Sequence, residues 1–189
     1  MIKVYAFIRQ DFSPRKRKYA IINILIIKRR GVFMRLAQFE IHDGQEILDM
    51  LNKSKYCHIA MLDGNVPYIV AMFYAYEPAE KRIYIHGATE GRKFDILSRG
   101  GQVCLQIVEY GQVYPADKPC DYFGLYTSIV CDGLIRQLSE EEKKHALDLI
   151  TLKYSGIESF PYSDEALASV SCWCIELLSV SGKKLPEPQ

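Results

Sequence analysis

The stretch Ile83-Tyr84-Ile85-His86-Gly87-Ala88-Thr89-Glu90-Gly91-Arg92-Lys93 changes its period part-way along. Ile83 to His86 reads as a β-strand, built from β-branched and aromatic residues. Gly87 and Ala88 are small enough for another group to approach the main chain closely. Thr89 or Glu90 then caps a short helix, Gly91 to Ser98, with Phe94, Ile96 and Leu97 apolar and Gly100-Gly101 as its stop. Free N–H groups and the positive dipole end at a helix start favour an anion. Helix starts usually carry Asp or Glu, so Arg92 and Lys93 side by side suit a phosphate, one as a planar fork and one as a point charge. By spacing alone, two solvated surface charges are an equal reading.

The flanking chain alternates in the same way. Tyr56 to Leu62 and Val66 to Tyr76 read as strands joined at Asp63-Gly64-Asn65, because Asp-Gly takes the positive φ values of a tight hairpin. Pro67 suits a strand start or an edge. Asp43 caps a helix to about Ser54, with Ile47, Leu48 and Leu51 apolar. Val103 to Val108 is strongly β-prone, and Gly111 to Pro119 reads as a loop. Tyr122 to Leu138 is a long strand bent at Asp132-Gly133, where a bulge fits. Ser139 with Glu142 forms a capping box that opens a helix to about Tyr154, ended by Gly156. A short helix from Ser163 to Ala168 and a strand from Ser171 to Val180 follow. Six strands with inserted helices predict a mainly β (α+β) antiparallel barrel with peripheral helices, in which neighbouring strands pair directly.

The 189 residues suffice for one domain with a real core. With 24 basic residues against 23 acidic, nothing points to nucleic acid as a partner. Six cysteines form no Cys-x-x-Cys pair and have no histidine at metal-like spacing, so they read as small buried hydrophobes in a reducing, cytoplasmic setting. No metal site is expected. Residues 1–33 read as an N-terminal extension, disordered or preceding a true start at Met34, and 34–189 as the domain. The apolar run Ala20 to Ile27 is too short for a bilayer, which takes about 20 residues, and no small-residue cleavage site follows it, so no membrane partner is expected. Hydrolase, NTPase and dinucleotide motifs are absent. His86, at a strand end, reads as a hydrogen-bonded structural residue, and Trp173 as core.

Several segments, in order, resemble the nitroimidazole-resistance branch of the pyridoxamine 5′-phosphate oxidase-like split barrels. They are Pro67-Tyr68-Ile69-Val70, Ile83 to Ala88, Gly91-Arg92-Lys93, Cys120-Asp121-Tyr122, Tyr126 to Val130, Ala146-Leu147 through Lys153 to Gly156, and Ile175 to Lys183. The resemblance spans about residues 38 to 184 and implies a six-stranded split barrel, a homodimer and FMN in a groove between subunits, with FAD fitting the same phosphate site. It implies that Tyr68, Ile69, Val70 and Ala71 line the flavin ring with backbone groups. His86, Gly87 and Ala88 would lie beside the flavin, and Gly91, Arg92 and Lys93 would hold its phosphate. Ser128, on the strand that crosses the dimer, would contact the flavin or its phosphate.

Ala71, Phe73, Tyr74 and Thr127 depart from the branch's usual residues near the ring. The implied activity is flavin-dependent reduction of a small, nitroaromatic substrate, with NAD(P)H as donor and no protein nucleophile or general base. A pyridoxamine phosphate oxidase activity and a non-catalytic flavin or haem carrier are the alternatives.

Overall fold

Period-two alternation builds six strands in the computed structural model, which describes residues 34–186. They are β1 (Tyr56–Asp63), β2 (Val66–Glu77), β3 (Arg82–Gly87), β4 (Gly101–Tyr114), β5 (Phe123–Gln137) and β6 (Ser171–Lys184). Four helices join them: α1 (Gly44–Lys53), α2 (Arg92–Ser98), α3 (Glu140–Ser155) and α4 (Asp164–Ala168). The strands close into an antiparallel barrel in the order β1-β2-β3-β6-β5-β4. The closing seam is short, since β1 meets β4 only over His58–Ala60 and Cys104–Gln106. The readings of residues 1–33 lie outside the described residues. No helix among the described residues is long and apolar enough to cross a membrane.

Local chemistry sets the element ends. Asp43 accepts from the Gln45 N–H at 2.8 Å and caps α1. The Ser139–Glu142 box forms at α3, and Arg136 clamps the Glu142 carboxylate with two bonds of 2.9 and 2.7 Å. The expected bulge lies at Asp132/Gly133. A Cβ on Gly133 would lie 2.5 Å from Ile175 Cγ2 and 2.9 Å from the Glu176 carbonyl, so the bent strand passes too close to β6 for any larger residue.

Inward-facing residues, among them Ile59, Tyr74, Ile83, Ile85, Leu105, Ile129 and Trp173, fill the barrel. A second core lies outside it, where α3 (Ala146, Leu147 and Ile150) covers Ala75, Tyr84, Cys172 and Cys174. The covering explains why both faces of β3 and β6 are apolar.

Four readings are corrected. Residues 111–114 are strand rather than loop, because β4 continues past an irregularity at Tyr110/Val113 to pair with β5 at Phe123 and Gly124. A Cβ at Gly111 would sit 2.7 Å from Leu125 Cβ, so this glycine permits close approach across a ribbon and does not break the strand. Consecutive strands do not pair throughout: β3 pairs with β2 and β6, never β4, and α2 carries the chain across the barrel end between β3 and β4. Finally, the cysteines divide. Cys57, Cys131, Cys172 and Cys174 are buried as expected, Cys104 is half-buried, and Cys120 is exposed. The fourth correction, the cap of α2, belongs to the site.

Candidate functional site

The β2–β3 ladder stops early. It runs only from Glu77/Arg82 to Tyr74/Ile85, after which β3 stays with β6 as far as Gly87/Ser171. Residues 66–73 of β2 therefore pair with β1 on one edge and with no strand on the other. Val66 faces Asp63 across the two-residue hairpin, and alternation from there sets the direction of each backbone group. The N–H and C=O groups of Ile69 and Ala71 point to the open edge. Pro67 shares that edge, where its missing N–H breaks no ladder bond. The side chains of Tyr68 and Val70 turn inward onto the core, whereas Ile69, Ala71 and Phe73 are exposed.

Facing this edge is the segment His86–Lys93. The N-cap of α2 is Gly91, not Thr89 or Glu90, and no side chain caps the helix. Gly91 takes φ +94°, a conformation side chains avoid, and nothing lies within 4 Å of where its Cβ would be. Ala88, Thr89 and Glu90 are exposed. With seven residues α2 has a weak dipole, so the charges here come from side chains.

Lys93 folds back to the barrel mouth. Its Nζ lies 3.5 Å from Met72 Sδ, a weak acceptor, and has no carboxylate partner among the described residues. A Cβ on Gly87 would meet Lys93 Cε and Nζ at 3.2 Å and Trp173 at 3.5 Å, so Gly87 makes room for the lysine. Arg92 is held differently. Its Nε donates to Asp63 Oδ2 at 2.9 Å and its guanidinium lies 4.4 Å above the Tyr68 ring, with the terminal nitrogens unengaged among the described residues.

Two buried polar atoms have no hydrogen-bond partner at this place, His86 Nδ1 and Trp173 Nε1. Orphaned groups of this kind are rare and call for an explanation. For His86 this overturns the hydrogen-bonded structural reading. Burial, with the Lys93 charge nearby, holds the His86 imidazole below its ordinary pKa and so neutral. Trp173 is fully buried, as expected of a core residue, and Phe94 packs on it edge-on at 6.1 Å.

One chain therefore brings Tyr68–Ala71, His86–Ala88 and Gly91–Lys93 together, but not Ser128. Ser128 pairs with Lys183, and Gly87 with Ser171. The shorter way across the sheet runs Ala71–His58–Gln106–Val130, three strand spacings of about 4.8 Å each, and Ser128 lies two residues further along β5. Sequence reasoning missed Asp63, which it took only as a turn residue, and Met72. Neither had a local signal: β2 and β3 both lie between Asp63 and the arginines at 92 and 99 that it binds.

The comparisons agree with this architecture. The pyridoxamine 5′-phosphate oxidase family model matches residues 43–184, and the chain belongs to that family. Among solved structures, a candidate 5-nitroimidazole antibiotic resistance protein of Bacteroides thetaiotaomicron is 31% identical, with a TM-score of 0.63 over 77% of this chain and 86% of that one. The flavocytochrome Anf3 of Azotobacter vinelandii shares the fold at 17% identity and a TM-score of 0.73, covering 86% of this chain and 76% of its own. An FAD- and haem-binding protein of Mycobacterium smegmatis shares it at 16% identity and a TM-score of 0.69, over 79% of this chain and 76% of that one. No curated protein sequence matches.

Proposed function

We propose that this chain binds a flavin, FMN or FAD, as a homodimer and serves as a flavin-dependent oxidoreductase acting on a small nitroaromatic substrate, with NAD(P)H as donor. The observation that carries the reading is the open β2 edge facing His86–Lys93. Unpaired backbone groups of Ile69 and Ala71, a lysine without a carboxylate and a neutral histidine with an orphaned nitrogen converge there. They match a flat polar ring system that carries a phosphate. Lys93 supplies the point charge for that phosphate and the free terminal nitrogens of Arg92 supply the fork. The backbone of Ile69 and Ala71 holds the ring edge. A bound flavin supplies the hydride or electron transfer, so no protein nucleophile is needed.

The homodimer is supported by the outward face of adjacent strands β2, β1, β4 and β5. Phe73, Ile69, Tyr56, Leu62, Val130 and Leu134 are all exposed on it. Gln102 and Gln106 of β4 lie between the β5 and β1 residues, so the face is mixed, and this number of exposed apolar side chains on one sheet face suits an interface. Three strands separate Ser128 from Ala71 within one chain, a placement that suits contact with the flavin of a partner. The nitroaromatic substrate rests on the Bacteroides relative alone.

The test is the visible spectrum of purified protein, followed by anaerobic assay. Flavin absorbance at one per chain, with NAD(P)H-driven loss of a nitroimidazole, is expected. Protein that stays colourless after incubation with FMN and FAD overturns the reading. A Soret band supports the second reading, a haem carrier, which the orphaned His86 nitrogen favours.

A further inference from the structure

Asp63 is shared by two arginines. Its Oδ2 accepts from Arg92 Nε at 2.9 Å and its Oδ1 from an Arg99 terminal nitrogen at 3.1 Å. Both arginine side chains are about half exposed, at 52% and 55%. One carboxylate does not neutralise two guanidiniums, so the trio keeps a net positive charge and several free N–H donors. Beside Arg99 opens a cavity of about 250 Å³, between α2, the end of β1 and the start of β4. Leu62, Leu97 and Val103 are among its apolar walls, and Arg99 and Gln102 form its polar rim. The volume falls just short of a whole-cofactor pocket and suits one base with its sugar.

We propose that this cavity seats an adenosine 5′-phosphate group. The apolar walls take the faces of the adenine, and the Gln102 amide matches the donor and acceptor on its edge. The Arg92–Arg99 pair takes the phosphate as a charge-assisted fork. Arg92 belongs both to this trio and to the proposed flavin phosphate site, so the inference rests on that reading. An adenylate joined to the flavin phosphate reaches the cavity along α2. The group is then the AMP half of FAD, or the adenylate end of a pyridine dinucleotide donor.

Titration of the full chain with FMN, FAD and AMP tests this. FAD is expected to bind at least about tenfold more tightly than FMN, a difference of about 1.4 kcal/mol. Arg99→Ala and, separately, Gln102→Ala should erase that preference while FMN affinity stays the same. Equal binding of both flavins, together with a several-fold rise in the NADH KM for Arg99→Ala, assigns the adenylate to the donor and supports the site. Equal binding with no effect of either variant on FAD or NADH overturns it. If neither flavin binds, the flavin reading fails by itself. AMP binding that Arg99→Ala abolishes then supports the cavity, and no AMP binding overturns it.

Discussion

The two ends of β3 are finished in opposite ways. Near Arg82 and Tyr84 the strand lies under α3, and its polar groups are matched. Tyr84 donates to Glu77 at 2.8 Å, His145 meets the same carboxylate at 3.1 Å, and Arg136 clamps Glu142. At His86 and Gly87 the ladder to β2 has ended, a ring nitrogen is orphaned and the lysine's hydrogen-bond partner among the described residues is a thioether. The same strand thus offers a sealed region and an unfinished one. The contrast separates residues that hold the barrel together from residues that await a ligand.

The comparison predicts that stability and flavin retention separate by region. The largest effect belongs to the sealed side. Ile150→Ala removes a buried contact to the second core and should lower unfolding free energy by about 2–5 kcal/mol in urea titrations, leaving flavin stoichiometry in native buffer unchanged. Flavin loss at wild-type stability would break the comparison. Next comes Lys93→Ala, which should weaken flavin binding about 10- to 100-fold, as loss of a charge-assisted bond of about 1.5–3 kcal/mol implies, with the melting temperature of flavin-free protein nearly unmoved. Retention of tightly bound flavin would count against Lys93 as the phosphate holder.

Two smaller effects depend on pH. Arg136 and the Ser139 N–H hold the Glu142 carboxyl down at about 2, below its usual 4.5. A depressed carboxyl stabilises the fold above its unfolded value and loses that contribution as pH falls through the folded one. Stability should therefore drop between about pH 4.5 and pH 2, and Glu142→Gln should flatten that drop in acid melts. The smallest effect concerns His86. Its lowered pKa means that the neutral form is favoured on folding, so its contribution is present above the ordinary histidine value and fades as pH falls below it. An NMR titration of the imidazole should place its midpoint below the ordinary histidine value; an equal or higher midpoint would refute the buried, neutral assignment.

Much of the fold is legible in the sequence because local chemistry announces it. Asp63-Gly64-Asn65, the Ser139 box and the Gly133 bulge each act within a few residues. What stays hidden is long-range. Nothing near Ile83 says that β3 will pair with β6 rather than β4. Gly111 reads as a breaker until Leu125 stands opposite it. At the site, the cluster Gly91-Arg92-Lys93 was visible, yet the different fates of its two cations were not. Asp63 takes Arg92 and leaves Lys93 unpaired, a division made by a hairpin thirty residues upstream.

The position of β6 has a consequence for how the protein is made. It is the last of the six strands in chain order, yet it sits between β3 and β5, and Arg82 finds its partner Glu176 about ninety residues later. During synthesis the edge of β3 is bare until that segment leaves the ribosome. His86 and Gly87 are anchored by the same late strand. The nascent chain therefore has this edge unfinished, open to pairing with other chains, until β6 arrives.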